Sequence, residues 1–236
     1  MLVLFRYLEE VLFKIILVIS TRLYLVVFIL FYFSGLKATD KDIKYNNYEV
    51  TSLWLSHSYN INPLNKSRFT FHANFCSAAN KNIIYYYPDI AFGLKVSKNL
   101  SLTTNIFIDN LNDSSSRIVG VGAQYFFGSK DTLDWVTSIK RVDIKVLKLF
   151  YLSNIAFDIS RWFQYKKMFF KLGLGTNFFK KNYYLSNINR LSNTTGQVNF
   201  LFSSMSFPFY DFNLGTELKF SNNKLLFSLL VNTEFY

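Results

Sequence analysis

Cysteine occurs once in the 236-residue chain, at Cys76, which excludes an internal disulfide framework and any multi-cysteine metal site. Histidine occurs twice, at His57 and His72, leaving little imidazole for metal binding or acid–base work. Proline is held to Pro63, Pro88 and Pro208, all near the ends of patterned segments, where a missing N–H does least harm. Charged residues make up only 17% of the chain, against roughly 25% in ordinary soluble domains. Aromatic residues reach 19%, and few charges with many aromatics is the reverse of a disordered composition. Lysine and arginine outnumber the acids by 26 to 15, a formal charge of +11 that favours anionic partners. They are scattered over turns such as Lys166-Lys167 and Lys180-Lys181-Asn182 rather than gathered into a stripe. That spread argues against nucleic acid and for lipid headgroups or lipopolysaccharide phosphates.

Residues 1–38 differ from the rest. Two apolar stretches, Val11–Ile19 and Leu23–Phe33, are separated by Ser20-Thr21-Arg22. The second has the length of a signal-peptide core and is short of the ~20 residues a spanning helix needs. Arg22 serves as its basic flank, and Ser34–Ala38 as a cleavage region with an oversized Leu36 at the −3 position. The reading is an export signal; an uncleaved anchor over Val11–Phe33 is the alternative, weakened by Lys14 and Arg22.

Beyond the leader no apolar run approaches the length of a spanning helix. Segments of about ten residues alternate instead, apolar at every second position, with polar turns between them. Phe212, Leu214, Thr216, Leu218 and Phe220 oppose Asp211, Asn213, Gly215, Glu217 and Lys219. Phe170, Leu172, Leu174, Thr176 and Phe178 oppose Lys171, Gly173, Gly175 and Asn177 in the same way. Successive side chains of a strand point to opposite faces, so each segment carries one apolar and one polar face. The body is therefore all-β and a single domain. Eleven candidate strands lie near 49–58, 67–76, 88–97, 100–109, 117–128, 135–142, 149–162, 168–179, 196–208, 210–221 and 224–236; the first and the 135–142 segment are the weakest.

Alternation fits a soluble barrel with its apolar face inward and a membrane barrel with that face outward. The polar faces are rich in small residues, including Ala91, Gly93, Gly120, Gly122, Gly173, Gly175 and Gly215, which a solvated face has no reason to prefer. The apolar faces begin and end in aromatics over about eight residues. Tilted by ~40°, such a segment spans roughly 20 Å, close to the ~25 Å apolar band of a membrane barrel. The chain also ends inside its last strand, at Glu234-Phe235-Tyr236.

On these features the sequence resembles bacterial outer-membrane β-barrel proteins as a class. The resemblance covers the architecture of residues 45–236 and carries no subfamily motif. It implies a transmembrane antiparallel up-and-down β-barrel inserted in the outer membrane of a Gram-negative-type bacterium, with both termini periplasmic. It also implies that the C-terminal strand (Phe227, Leu229, Val231, Phe235, Tyr236) is recognised by the outer-membrane assembly machinery, although Tyr236 extends one residue past the apolar register. Long loops then fall outside at Ser77–Tyr87, Asn110–Ser116 and Lys180–Gly196, and tight turns inside at Ser97–Asn99 and Pro208–Tyr210. Even parity removes one strand, and 49–58 is the one removed. The expectation is ten strands, within a range of eight to twelve. The domain plan is a leader over 1–38, a periplasmic lead-in over 39–47 and a barrel over 48–236.

A ten-strand barrel is narrow enough for side chains to fill, which disfavours a broad pore. The inward polar set is Asp89, Lys95, Asp109, Lys171, Asp211, Glu217 and Lys219, either an ion-paired plug or a narrow selective path. No Gly-Xaa-Ser-Xaa-Gly elbow or His-Glu-Xaa-Xaa-His pattern is present, and no catalytic residue, metal or cofactor is expected. The expected function is that of a small barrel with a structural, narrow-channel or porin-like, or surface-contact role. Two alternatives stand beside it. A barrel-embedded lipid or peptide hydrolase requires His57 or His72 beside a carboxylate near the membrane rim. A periplasmic lipid-binding barrel requires a cavity lined by Phe and Leu.

Overall fold

The computed structural model describes residues 48–235, apart from 81–82, 112–113, 130–132, 147–149, 184–193 and 222–223. The leader over 1–38 and the lead-in over 39–47 lie outside the described residues. One helix, α1 (Tyr48–Leu55), precedes ten strands: β1 (Phe69–Asn80), β2 (Ile83–Lys95), β3 (Leu100–Leu111), β4 (Ser114–Phe127), β5 (Trp135–Val146), β6 (Phe150–Tyr165), β7 (Met168–Tyr183), β8 (Thr194–Phe209), β9 (Phe212–Ser221) and β10 (Lys224–Phe235). Each strand pairs antiparallel with its sequence neighbour, and β10 closes on β1 through Phe69 opposite Phe235. Among the described residues this is the ten-strand up-and-down barrel expected from the alternation.

The apolar face points outward. Phe92, Leu94, Leu102, Ile106, Val119, Val121, Leu172, Leu174, Leu201 and Phe220 are exposed, whereas Asp89, Lys140, Asp158, Lys171, Glu217 and Lys219 are buried inside. These faces therefore do not line an interior cavity, as the lipid-binding alternative requires of them. Aromatics crowd the rim that carries the C-terminal strand: Phe127 stacks on Trp135, Phe163 on Phe170, and Phe209 meets Tyr210 edge-on. Two of the connections there are two-residue turns, Lys166-Lys167 and Tyr210-Asp211, and the others run over 96–99 and 128–134. Lys166 and Tyr210 adopt positive φ, as does Gly128 in the β4–β5 connection. This rim is called the turn rim below, and the opposite end the loop rim.

At the loop rim two expectations change. The segments 77–87 and 110–116, read as loops, are mostly strand: β1 and β2 are joined across residues 81–82, and β3 and β4 across 112–113. Only the β7–β8 connection, residues 184–193, is long. β5 changes its outer and inner chemistry within one element. Its outward residues run Trp135, Thr137, Ile139, then Arg141, Asp143 and Lys145. Its inward residues run Val136, Ser138, Lys140, then the buried Val142, Ile144 and Val146. Alternation continues along the strand, but its chemical sense inverts at Lys140–Arg141. Towards the turn rim this strand is apolar outside; towards the loop rim it is polar outside and apolar inside.

The segment 49–58 is neither strand nor lead-in. α1 carries Glu49 in its first turn, where an acid favours the helix N-terminus, and Val50 to Leu55 are all buried. A short helix hidden on every side belongs in a core. Here that core is the loop-rim half of the lumen, where Leu53, Trp54 and Leu55 pack with Tyr87, Ile144, Leu152, Phe200 and Leu226. Inward glycines make the room. A Cβ on Gly173 would lie 2.5 Å from the Phe202 ring, and one on Gly175 2.5 Å from the Phe200 ring. Gly175→Val is expected to destabilise the barrel by about 1–3 kcal/mol through overpacking, read as a lower urea midpoint in detergent.

Candidate functional site

From α1 the chain continues as an irregular strand-length segment, 56–68, that descends the lumen. Tyr48 and Glu49 sit at the loop rim: Tyr48 contacts the Phe179 ring and the Lys181 ammonium, and Glu49 pairs with Lys224. Lys181 is itself enclosed by the rings of Tyr48, Phe150 and Tyr183, which makes a cationic lid over the helix. At the other end Asn62, Pro63 and Asn65 accept hydrogen bonds from Lys95, and Arg68 N–H bonds to Phe235. The described chain therefore enters the lumen at one rim, leaves it at the other and begins β1 there.

A segment enclosed in a packed lumen needs partners for its backbone polar groups, since apolar side chains offer none. The wall provides them. Asn177 donates to Ser52 O, Lys219 to Leu53 O at 3.5 Å, Lys140 to His57 O at 2.9 Å, Gln124 to Tyr59 O at 2.9 Å and Asn232 to Asn60 O at 3.0 Å. With Lys95, six wall side chains on six different strands hold the carbonyls of one threaded segment.

A charged belt crosses mid-lumen. His57 Nδ1 donates to Glu217 Oε1 at 2.9 Å; the carboxylate can only accept, which fixes the protonated nitrogen. Lys219 lies 3.6 Å from the same Oε1 and donates to Ser56 Oγ at 3.2 Å. Lys171 donates to Ser58 Oγ at 3.0 Å, and Ser138 donates to Asp158. Tyr59 donates to Asp89 Oδ2 at 2.8 Å and accepts from Lys140 at 3.1 Å, while Asn105 bonds both Tyr59 and Asp89. His72 meets Thr70 at 3.1 Å and lies under the Tyr59 ring. Three buried lysines (Lys140, Lys171, Lys219) thus match three buried acids (Asp89, Asp158, Glu217).

Of the inward set read from the sequence, Asp89, Lys171, Glu217 and Lys219 meet in this belt, and Lys95 lies at the turn rim beneath the threaded segment. Asp211 is a correction: it sits in the exposed two-residue turn between β8 and β9, where Thr233 bonds its carbonyl. The strand period carried it inward, but the strand begins one residue later. The Asp109 side chain and Tyr236 lie outside the described residues. In the C-terminal strand Phe227 and Leu229 are exposed, and Val231 and Phe235 are half-buried. Lys140, Asp158 and Gln124 are not in that set; Asn177, placed on a polar face by the alternation, joins them inside.

The hydrolase alternative finds one of its elements, a histidine beside a carboxylate, at mid-lumen rather than at a rim. His57 is 1% exposed, the neighbouring Ser56 hydroxyl is bonded to Leu53 O at 2.7 Å, and Ser58 is held by Lys171.

The sequence matches no protein-family profile and no curated protein. Among solved structures, the translocator domain of the autotransporter NalP from Neisseria meningitidis aligns with 83% of this chain and 95% of its own, at 8% identity and a TM-score of 0.40. The β-domain of the Bordetella autotransporter BrkA aligns with 72% of this chain and 100% of its own, at 8% identity and a TM-score of 0.40. Neisserial surface protein A aligns with 71% of this chain and 96% of its own, at 11% identity and a TM-score of 0.30.

Glu217→Gln is expected to cost about 3–5 kcal/mol by leaving Lys219 buried without its counter-charge. Glu217→Gln combined with Lys219→Met should recover most of that loss. Urea midpoints followed by tryptophan fluorescence in detergent provide the comparison.

Proposed function

We propose that the protein is a closed, non-conducting outer-membrane barrel that anchors the chain and offers its loop rim to surface contacts. The observation that carries this reading is the threaded segment: α1 and residues 56–68 occupy the lumen from rim to rim, bonded to six wall side chains. The outward apolar band, with aromatics at the turn rim, supports membrane insertion. Polar and basic residues on the outer wall towards the loop rim, Arg117, Arg141, Lys145 and Lys180 among them, suit the phosphates of lipopolysaccharide. The C-terminal strand is the part that assembly machinery would read. With β10 ending on the periplasmic side, the loop rim, where Tyr48 and Glu49 sit, faces outward. The His57–Glu217 pair is read here as part of the belt rather than as a catalytic dyad.

In planar bilayers the full chain should show no steady conductance, and deletion of residues 48–61 should produce ion-conducting channels. Steady conductance by the full chain would remove this reading. An epitope inserted between Asn47 and Tyr48 should be accessible to antibody on intact cells, and accessibility only after permeabilisation would reverse the orientation.

A further inference from the structure

The threaded segment does not fill the lumen evenly. Beneath the charged belt, on the side of β6 to β10, a cavity of about 450 Å³ opens towards the turn rim. Its size falls within the ~300–1,000 Å³ of small-molecule sites. Its lining divides by chemistry. On β6 and β7, Trp162 and Phe169 stack at 5.7 Å between centroids and form an aromatic wall. Opposite, β8, β9, β10 and the threaded segment contribute Ser206, Asn213, Asn232 and Asn60. Lys171 reaches the inner end, and Glu234 stands near the mouth.

We propose that this cavity binds a neutral saccharide of one or two rings. A pyranose ring has an apolar C–H face and a rim of hydroxyls, each of which both donates and accepts. An aromatic wall takes the first, and side-chain amides and hydroxyls, which likewise donate and accept, take the second. The Asn60 amide nitrogen bonds Ser204 at 3.5 Å, which fixes one of these amides at the cavity wall. A peptide is the poorer occupant. Recognition of an extended peptide draws on a free strand edge, and around the cavity Phe169 to Lys171, Ser204, Ser206, Asn213 and Asn232 are each paired on both sides. The site goes beyond the closed-barrel reading and is tested without conductance.

Saturation-transfer NMR on the refolded full chain in deuterated detergent, with chitobiose as the probe, supplies the test. Irradiating the protein should transfer saturation to the C–H protons of the chitobiose rings in a saturable manner. Trp162→Ala should weaken the binding at least tenfold, and so should Ser206→Leu, which narrows the cavity from the other wall. Both variants are to be checked for unchanged heat-modifiable gel mobility, so that a loss of binding is not a loss of fold. If one of them fails to fold, Asn213→Leu takes its place. Absence of transfer, transfer unaffected by the folded variants, or tighter binding of trialanine than of chitobiose would each overturn the proposal.

Discussion

The carbonyl groups of the threaded segment are the constraint on which the rest depends. A segment threaded through a packed lumen has little solvent to bond, and each orphaned backbone group costs several kcal/mol. The wall answers with long or branched donors: Asn177, Lys219, Lys140, Gln124, Asn232 and Lys95. Three of these donors are lysines, two of them, Lys140 and Lys219, deeply buried. Burying them calls for acids, which Asp89, Asp158 and Glu217 supply. The charged belt is thus a consequence of threading a peptide through a narrow barrel. It differs from the lining of a hydrated pore, where charges face water and need no side-chain partner.

The same constraint accounts for the layered interior. Where the segment is helical the wall is mainly apolar, with Trp54 stacked on Tyr87 at 4.7 Å, and Asn177 and Lys219 add bonds to the helix carbonyls of Ser52 and Leu53. Where the segment is irregular, the wall turns polar. Nearer the turn rim Ile61, Phe126, Leu133 and Val136 close a second apolar layer. Chain conformation inside the lumen and side-chain chemistry on the wall follow one another level by level.

Much of the barrel was legible because period two is a local signal. Ten of the eleven segments read from the alternation are strands, and both the closure and the outward apolar face follow from the small inward residues. β5 was rated weak for a physical reason: its outer face passes from Ile139 to Arg141 while its inner face passes from Lys140 to Val142, so no single polarity runs along it. The segments 77–87 and 110–116 were misread as loops. Both segments fall between the patterned stretches, yet most of their residues continue the β1–β2 and β3–β4 ladders.

The threaded segment was hardest to read, because its partners are distant in sequence. Ser52 meets Asn177, His57 meets Glu217 and Asn60 meets Asn232. Nothing within 48–68 announces those contacts, and an eight-residue helix has too few turns to display a face. The buried lysines were the available clue, since each implied something inside the barrel for it to hold. Amide hydrogen exchange of the full chain in detergent, resolved by residue, tests the central claim most directly. If the segment is part of the barrel core, amides of residues 50–61 will exchange as slowly as those of mid-strand β6 and β7. Exchange within seconds across 50–61, beside protected strands, would mean that the lumen does not hold the segment and that the account is wrong.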